Sequence, residues 1–213
     1  MYQVQLNKNV LRNHFHYDLW KYVIAIVITI FFWSMVTTIA APRTPAEKKV
    51  DIYMVGSFAF EEVANEIGKT AILPNFPELL EINFYNIALG GDAEMDYVGR
   101  QKLMVMLGSA SGDIYIFNKE EFKIMAEQGA FLSLDDLADE FKDYFTEEQL
   151  NELKVSGEEG GEPHLYGLPM DGVEILEKTG YDTSDAVISV MAFSKNQEKA
   201  IEVMKWIIEN GSE

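Results

Sequence analysis

The chain of 213 residues contains no cysteine. Disulfides, cysteine-zinc sites and thiol catalysis are therefore excluded. Proline numbers six and glycine 15, far from the content of a collagen or a low-complexity repeat. Positive charge is scarce as well. Lys and Arg total 17 against 35 Asp and Glu, a formal net charge of −18. Non-specific nucleic-acid binding needs clustered cations, so no nucleic-acid partner is expected. What the chain does have is a hydrophobic fraction of 48% and a charged fraction of 24%, the mix of a folded protein rather than a disordered one.

The charge is divided unevenly. Residues 1–49 carry six basic and two acidic groups, whereas residues 50–213 carry 11 basic and 33 acidic groups, a net of −22. A basic head joined to an acidic body suggests a membrane-proximal segment followed by a soluble domain. Between them Tyr22 to Ala41 reads YVIAIVITIFFWSMVTTIAA, without one Asp, Glu, Lys or Arg. As a helix, 20 residues at 1.5 Å each span roughly 30 Å, the thickness of a bilayer's hydrocarbon core. Trp20 and Tyr22 stand at one end, where amphipathic rings favour the interface. The leader Met1 to Lys21 is long and polar, and the apolar run exceeds the 7–15 residues of a signal peptide, so the run is read as an uncleaved anchor. The expected organisation is a head over 1–21, a transmembrane helix over 22–41, a linker over 42–49 and an α/β domain over 50–213.

In the body, strands alternate with helices. Val50 to Val55, Glu81 to Leu89, Asp113 to Phe117 and Ala186 to Phe193 read as buried strands. Ser57 is placed to cap a helix bearing Phe60, Val63, Ala64 and Ile67, and Asp92 to cap one running to about Leu107. Asn118 with Glu121 and Thr146 with Gln149 have capping-box spacing, and Ser133 with Asp136 opens a further short helix. Ser194 and Gln197 are expected to cap a last helix over 195–209, with Ile201, Met204 and Ile208 inward. This alternation predicts an α/β fold, a mostly parallel sheet with flanking helices. In open sheets of that kind ligands sit outside the carboxyl ends of the strands, here Gly56 to Phe58, Ala88 to Asp92, and Phe117-Asn118.

Catalytic signals are weak, and no enzymatic activity, catalytic residue, metal site or cofactor is expected. Gly108-Ser109-Ala110-Ser111-Gly112 has Ala at its centre, where a nucleophile elbow needs Ser, and a strand follows it rather than precedes it. His164 stands alone in a Gly/Pro loop, with no zinc spacing around it. Asp92, Glu94 and Asp96 fail as an EF-hand because Tyr97 and Leu103 occupy the sixth and twelfth places. They suit a helix start favoured by the macrodipole.

Three segments carry a resemblance. Gly112 to Leu137, GDIYIFNKEEFKIMAEQGAFLSLDDL, has a short strand entering a helix and then a turn built on Gly129, Phe131, Leu132, Leu134, Asp135 and Asp136. Tyr166 to Asp171 reads YGLPMD, and Ala186 to Glu209 reads AVISVMAFSKNQEKAIEVMKWIIE. Together they resemble extracellular solute-binding proteins of the type II periplasmic fold. The resemblance implies one lobe of that fold, because only 45 residues, Phe141 to Asp185, separate the first-lobe helix from the returning strand. It also implies an extracytoplasmic body and a cytoplasmic head, since the basic residues flanking the anchor are balanced and do not orient it. The membrane helix would stand in for a lipid anchor.

Two functions follow as expectations. One is a tethered module that recognises a protein partner, or weakly a small ligand, at the cell surface. The other is an accessory or structural subunit of a membrane transporter complex, with lipid contacted through residues 22–41. Any ligand is expected at Ser57 and Phe58 after the first strand, Asn118 after the third, and Tyr166 of the YGLP segment. Free N–H groups at helix starts would suit anions or sugar hydroxyls, and Phe58 and Tyr166 could stack on an apolar face.

Overall fold

A computed structural model describes residues 8–40, 44–157 and 161–211. The chain divides into two compact units, Met1–Arg43 and Thr44–Glu213.

The described residues of the first unit form a single helix, α1 (Lys8–Ala40). It begins well before the apolar run, so residues 8–21 of the polar leader belong to the same helix. Its most apolar stretch is Leu19–Ala40, 22 residues, none of them buried. The hydroxyls within it bond back to the helix itself. Thr29 donates to the Ala25 carbonyl at 2.8 Å, Thr37 to Trp33 at 3.0 Å, and Thr38 to Ser34 at 2.8 Å. These three hydroxyls are satisfied by the helix's own backbone.

The second unit is an α/β domain. Its strands are β1 (Lys49–Gly56), β2 (Glu81–Ala88), β3 (Ile114–Asn118), β4 (Lys154–Val155), β5 (His164–Leu165), β6 (Leu168–Pro169) and β7 (Ala186–Val190). Its helices are α2 (Glu61–Ile67), α3 (Ala93–Gly108), α4 (Lys119–Glu127), α5 (Glu147–Glu152), α6 (Glu174–Glu177) and α7 (Gln197–Asn210). Five strands form the main sheet in the order β2-β1-β3-β7-β6, and β4 pairs with β5 alone. β1 runs parallel to β2 and β3, while β7 is antiparallel to both β3 and β6. Four strands therefore point one way and only β7 points back.

Alternation along the strands builds two different faces. Val50, Ile52, Met54, Ile82, Phe84, Ile114 and Ile116 are buried on one of them. α7 packs on β7 and β1 and brings Ala200, Val203, Met204, Ile207 and Ile208 into the core. Ile201 is only half-buried, one step off that stripe. The other face is aromatic. Tyr85, Tyr53 and Tyr115 lie in register on three adjacent strands and stack with ring centroids 4.9 and 4.8 Å apart. Phe117 continues the row at 5.5 Å, and Phe131 and Phe122 close it beneath α4. Such cross-strand pairs are the stabilising unit of a sheet.

The outer edge of β2 has no neighbouring strand, and side chains complete it. Asn65 of α2 accepts from the Phe84 N–H at 2.8 Å and donates to its carbonyl at 3.0 Å, as a paired strand would. Glu61 accepts from the Asn86 N–H at 2.7 Å, and Lys102 of α3 donates to the Asn86 carbonyl at 2.8 Å. α3 comes close to this edge because Gly99 has no side chain. A Cβ there would lie 2.2 Å from the Ala88 carbonyl oxygen.

The caps depart in part from expectation. Asp92 caps α3, Asn118 caps α4, and Thr146 with Gln149 forms the full reciprocal box on α5. Ser57 does not cap α2, whose first residue comes only after Phe58, Ala59 and Phe60. Nor does Ser194 cap α7, where Asn196 stands at the cap position without a side-chain bond. Ser194 instead holds the turn, accepting from the Asn196 N–H at 3.0 Å. β7 stops at Val190 rather than running to Phe193, because Met191 pairs singly with Phe131 and the chain then turns.

Candidate functional site

Carboxyl ends of β1, β2 and β3 meet the start of the reversed strand β7 along one edge of the sheet. Two clefts open there. The smaller, of about 290 Å³, is lined by Gly56, Ser57, Asn118, Tyr181, Asp182 and Asp185, with Val55, Leu89 and Ala186 behind them. Gly56 has φ +120°, a conformation that a residue with a side chain rarely adopts. The absence of a side chain there leaves space into which the Asn118 amide points. Tyr181 forms the floor. Its hydroxyl donates to the Val55 carbonyl at 2.7 Å and reaches the Ile116 carbonyl at 3.4 Å, bridging β1 and β3. Burial pushes its ionisation well above the usual tyrosine range.

The larger cleft, of about 460 Å³, lies beside it between the end of β2 and α3. Its lining includes Phe58, Asn86, Asp92, Met95, Val98 and Lys102. Phe58 is 58% exposed and meets the exposed Phe60 edge-on at 5.0 Å. Asn86 ties this cleft to β1, donating to the Met54 and Ser57 carbonyls at 3.2 and 3.0 Å.

The structure thus brings Ser57 and Asn118 into one cleft and puts Phe58 in the next. Tyr166 is elsewhere. It precedes β6, which runs in the same direction as β3, so Tyr166 stands toward the amino ends of the strands, on the far edge from Asn118. There it packs on the core and faces His164 at 6.3 Å. The structure therefore does not bring Phe58 and Tyr166 together, because the YGLP segment leads into β6 from the amino end of the sheet.

Several of the N–H groups at the helix starts are already engaged. Asn118 accepts from the Glu121 N–H at 2.8 Å, and the Lys119 N–H goes to the Asp185 carbonyl at 2.9 Å. Asp92 accepts from the N–H groups of Glu94 and Met95. Ser57 Oγ accepts from the Asp182 N–H at 2.9 Å. The rim is also acidic. The hydroxyl and N–H of Ser184 both bond Asp182 and hold its carboxyl below the usual range. With Asp182, Asp185, Asp92 and Glu94 at the opening, an anion is repelled and a neutral or cationic group is favoured. Tyr181, Asn86 and the two acids of the 181–185 loop carry no functional signal in the sequence. That loop reads as a plain turn, and nothing local signals that it lies against residues 55–57.

A third cleft, of about 380 Å³, opens at the opposite end of β1 and is lined by Lys49, Asp51, Tyr53, Tyr85, Asp113 and Ser194 among others. Its polar groups are engaged with one another. Asp113 accepts from the Asp51 N–H at 2.9 Å and from the Ser194 hydroxyl at 2.6 Å, and Asp51 accepts from Asn83 at 3.0 Å and pairs with Lys49. Burial raises the Asp113 carboxyl above its usual range despite the two bonds that favour its ionised form. The folded chain therefore holds this proton more tightly than the unfolded chain. The stability contribution is fullest below the unfolded value of about 4 and is lost as pH rises through the folded value. Asp113→Asn keeps an acceptor for the Asp51 N–H and a donor toward Ser194 but removes the titration. In urea unfolding from pH 3.5 to 7, the variant should gain on the parent as pH rises. A gap that stays constant over that range would contradict the assignment.

No family model matches this chain, and no curated protein does. Among solved structures it is similar to an extracellular solute-binding protein, family 1, from Alicyclobacillus acidocaldarius (20% identity, TM-score 0.42), over 60% of this chain and 29% of that one. It is also similar to an ABC transporter associated binding protein from B. animalis subsp. lactis in complex with beta-1,6-galactobiose (17% identity, TM-score 0.39), over 63% and 30%. A third is the ABC substrate-binding protein Lmo0181 from Listeria monocytogenes in complex with cycloalternan (21% identity, TM-score 0.38), over 56% and 28%. The chain spans less than a third of each of these proteins. The likeness covers part of one lobe.

Proposed function

We propose that the chain is a membrane-tethered recognition module. The apolar part of α1 holds it in a bilayer, and residues 44–213 stand on the extracytoplasmic side. The carboxyl edge of the sheet meets a protein partner, or more weakly a small neutral or cationic ligand. The observation that carries this reading is the pair of adjoining clefts at that edge, with Phe58 and Phe60 exposed between the strand ends and an acidic rim around them. Aromatic side chains that stay in water are costly unless something covers them. Both clefts are open, so a small ligand would keep much of its surface wet. Its affinity is expected on the order of 1 mM, about −4 kcal/mol.

Calorimetry on residues 44–213 with neutral sugars, short peptides and amino acids tests the site. Binding should weaken in Phe58→Ala and be unchanged in Tyr166→Ala. Micromolar binding indifferent to Phe58→Ala and Asn118→Ala would sink the site. Absence of small-ligand binding would leave the protein partner.

Orientation has its own measurement. Protease added to intact cells should remove the acidic domain and spare a short fragment containing α1. Complete protection of the domain would place it on the other side of the membrane.

A further inference from the structure

The cleft at the amino end of β1 holds four charged side chains, Lys49, Asp51, Asp113 and Lys195. Lys49 and Asp51 neutralise each other. The other two have no such match. Asp113 is half-buried and receives only neutral donors, the Asp51 N–H and the Ser194 hydroxyl. Lys195 follows Ser194 in the chain. It is exposed and makes no ion pair or hydrogen bond among the described residues. One cleft of about 380 Å³ thus carries an unmatched carboxyl in its half-buried part and an unmatched ammonium in its exposed part. Burial already raises the Asp113 carboxyl above its usual range, as it does where a positive charge is wanting.

We propose that this cleft binds a small zwitterion, a free α-amino acid, with its ammonium on Asp113 and its carboxylate on Lys195. Charge decides between ligand classes here. A simple cation would meet Lys49 and Lys195 beside the carboxyl it needs. A simple anion would meet Asp51 and Asp113. A neutral sugar would leave both unmatched charges as they are. A molecule carrying both signs answers both, through charge-assisted hydrogen bonds. The remaining wall suits an apolar side chain. Tyr85 ends the aromatic row, with Tyr53 stacked on one face of its ring at 4.9 Å and no ring on the other among the described residues. Its hydroxyl makes no hydrogen bond there and is left for the ligand. The clefts at the carboxyl edge have an acidic rim instead, so the two ends of the sheet select differently. This inference depends neither on those clefts nor on the tether.

The test is a ligand-observed NMR titration of the full-length chain in detergent micelles at pH 7, with blank micelles subtracted. The probes are L-valine and its two halves, isobutylamine, which lacks the carboxylate, and isovalerate, which lacks the ammonium. Valine should bind about tenfold more tightly than either half. Asp113→Asn should weaken valine and isobutylamine alike, about tenfold, because both lose the partner of their ammonium. Lys195→Ala should weaken valine several-fold, as an exposed pair does, and leave isobutylamine unchanged. Lys195 is exposed, so that variant should melt like the parent and its result stands even if Asp113→Asn is less stable. Phe58→Ala and Asn118→Ala should leave valine binding unchanged. No binding of valine at millimolar concentration, binding no tighter than that of its halves, or indifference to Lys195→Ala would each overturn the proposal. Loss of valine binding in Phe58→Ala would overturn it as well, by assigning the amino acid to the carboxyl edge, so failure at one end of the sheet is told apart from failure at the other.

Discussion

Met204→Asp should unfold the domain or bring its urea midpoint down sharply. Met204 is fully buried in α7, between Val203 and the stripe of Ala200, Ile207 and Ile208 that sits on the sheet. An ionised carboxylate there would have no partner, and the lost packing adds to the cost. Core methionine deletions alone reach about 2–5 kcal/mol, and an unpaired buried charge raises the total. Whole-domain stability is on the order of 5–15 kcal/mol, so the change consumes a large part of it. Ile201→Asp, one turn earlier and half-buried, should cost markedly less. If Met204→Asp melts like the parent, α7 does not pack as described.

Gly99→Ala sets two effects against each other. In an isolated helix the change would stabilise by about 1 kcal/mol, since glycine is the poorer helix former. Here the new Cβ would meet the Ala88 carbonyl oxygen at 2.2 Å and a Leu89 methyl at 2.9 Å. A backbone oxygen cannot rotate away, so α3 would have to move off β2 and release Lys102 from the Asn86 carbonyl. Overpacking of this kind costs typically 1–3 kcal/mol, and the lost bond adds about 1 kcal/mol more. A net destabilisation of roughly 2 kcal/mol is expected in chemical denaturation. A stabilised variant would mean that propensity outweighs contact, and that α3 stands farther from the strand.

These two positions differ in how far the sequence discloses them. Met204 announces itself: the apolar residues of 195–209 recur at helical spacing, and Met204 falls on their line. Gly99 does not. A glycine inside a helical pattern says that something approaches closely, but not that the something is Ala88. The same division runs through the fold. β1, β2, β3 and β7 were legible because each is a run of apolar residues closed by a turn or cap. The two-residue strands β4, β5 and β6 are too short to have a period. The site was half legible. Strand ends and caps mark Ser57, Phe58 and Asn118, and the general rule for open sheets points to them. Tyr181 bonds a carbonyl 126 positions away, and only the folded topology brings it there. Ser57 has the spacing of a cap yet does not act as one, for a related reason. Its true partner, the Asp182 N–H, is equally remote in sequence.

The side chains that line β2 bear on how the domain behaves when crowded. An unfinished strand edge is a template. At high local density, one copy could add its edge to the next, and the sheet would grow from molecule to molecule into a fibre. Asn65, Glu61 and Lys102 occupy the positions that an incoming strand would need, and all three belong to the domain's own helices. To recruit a neighbour's strand, the domain would first have to give up hydrogen bonds it already has. Crowding therefore opens no easy route to polymerisation through the β2 edge.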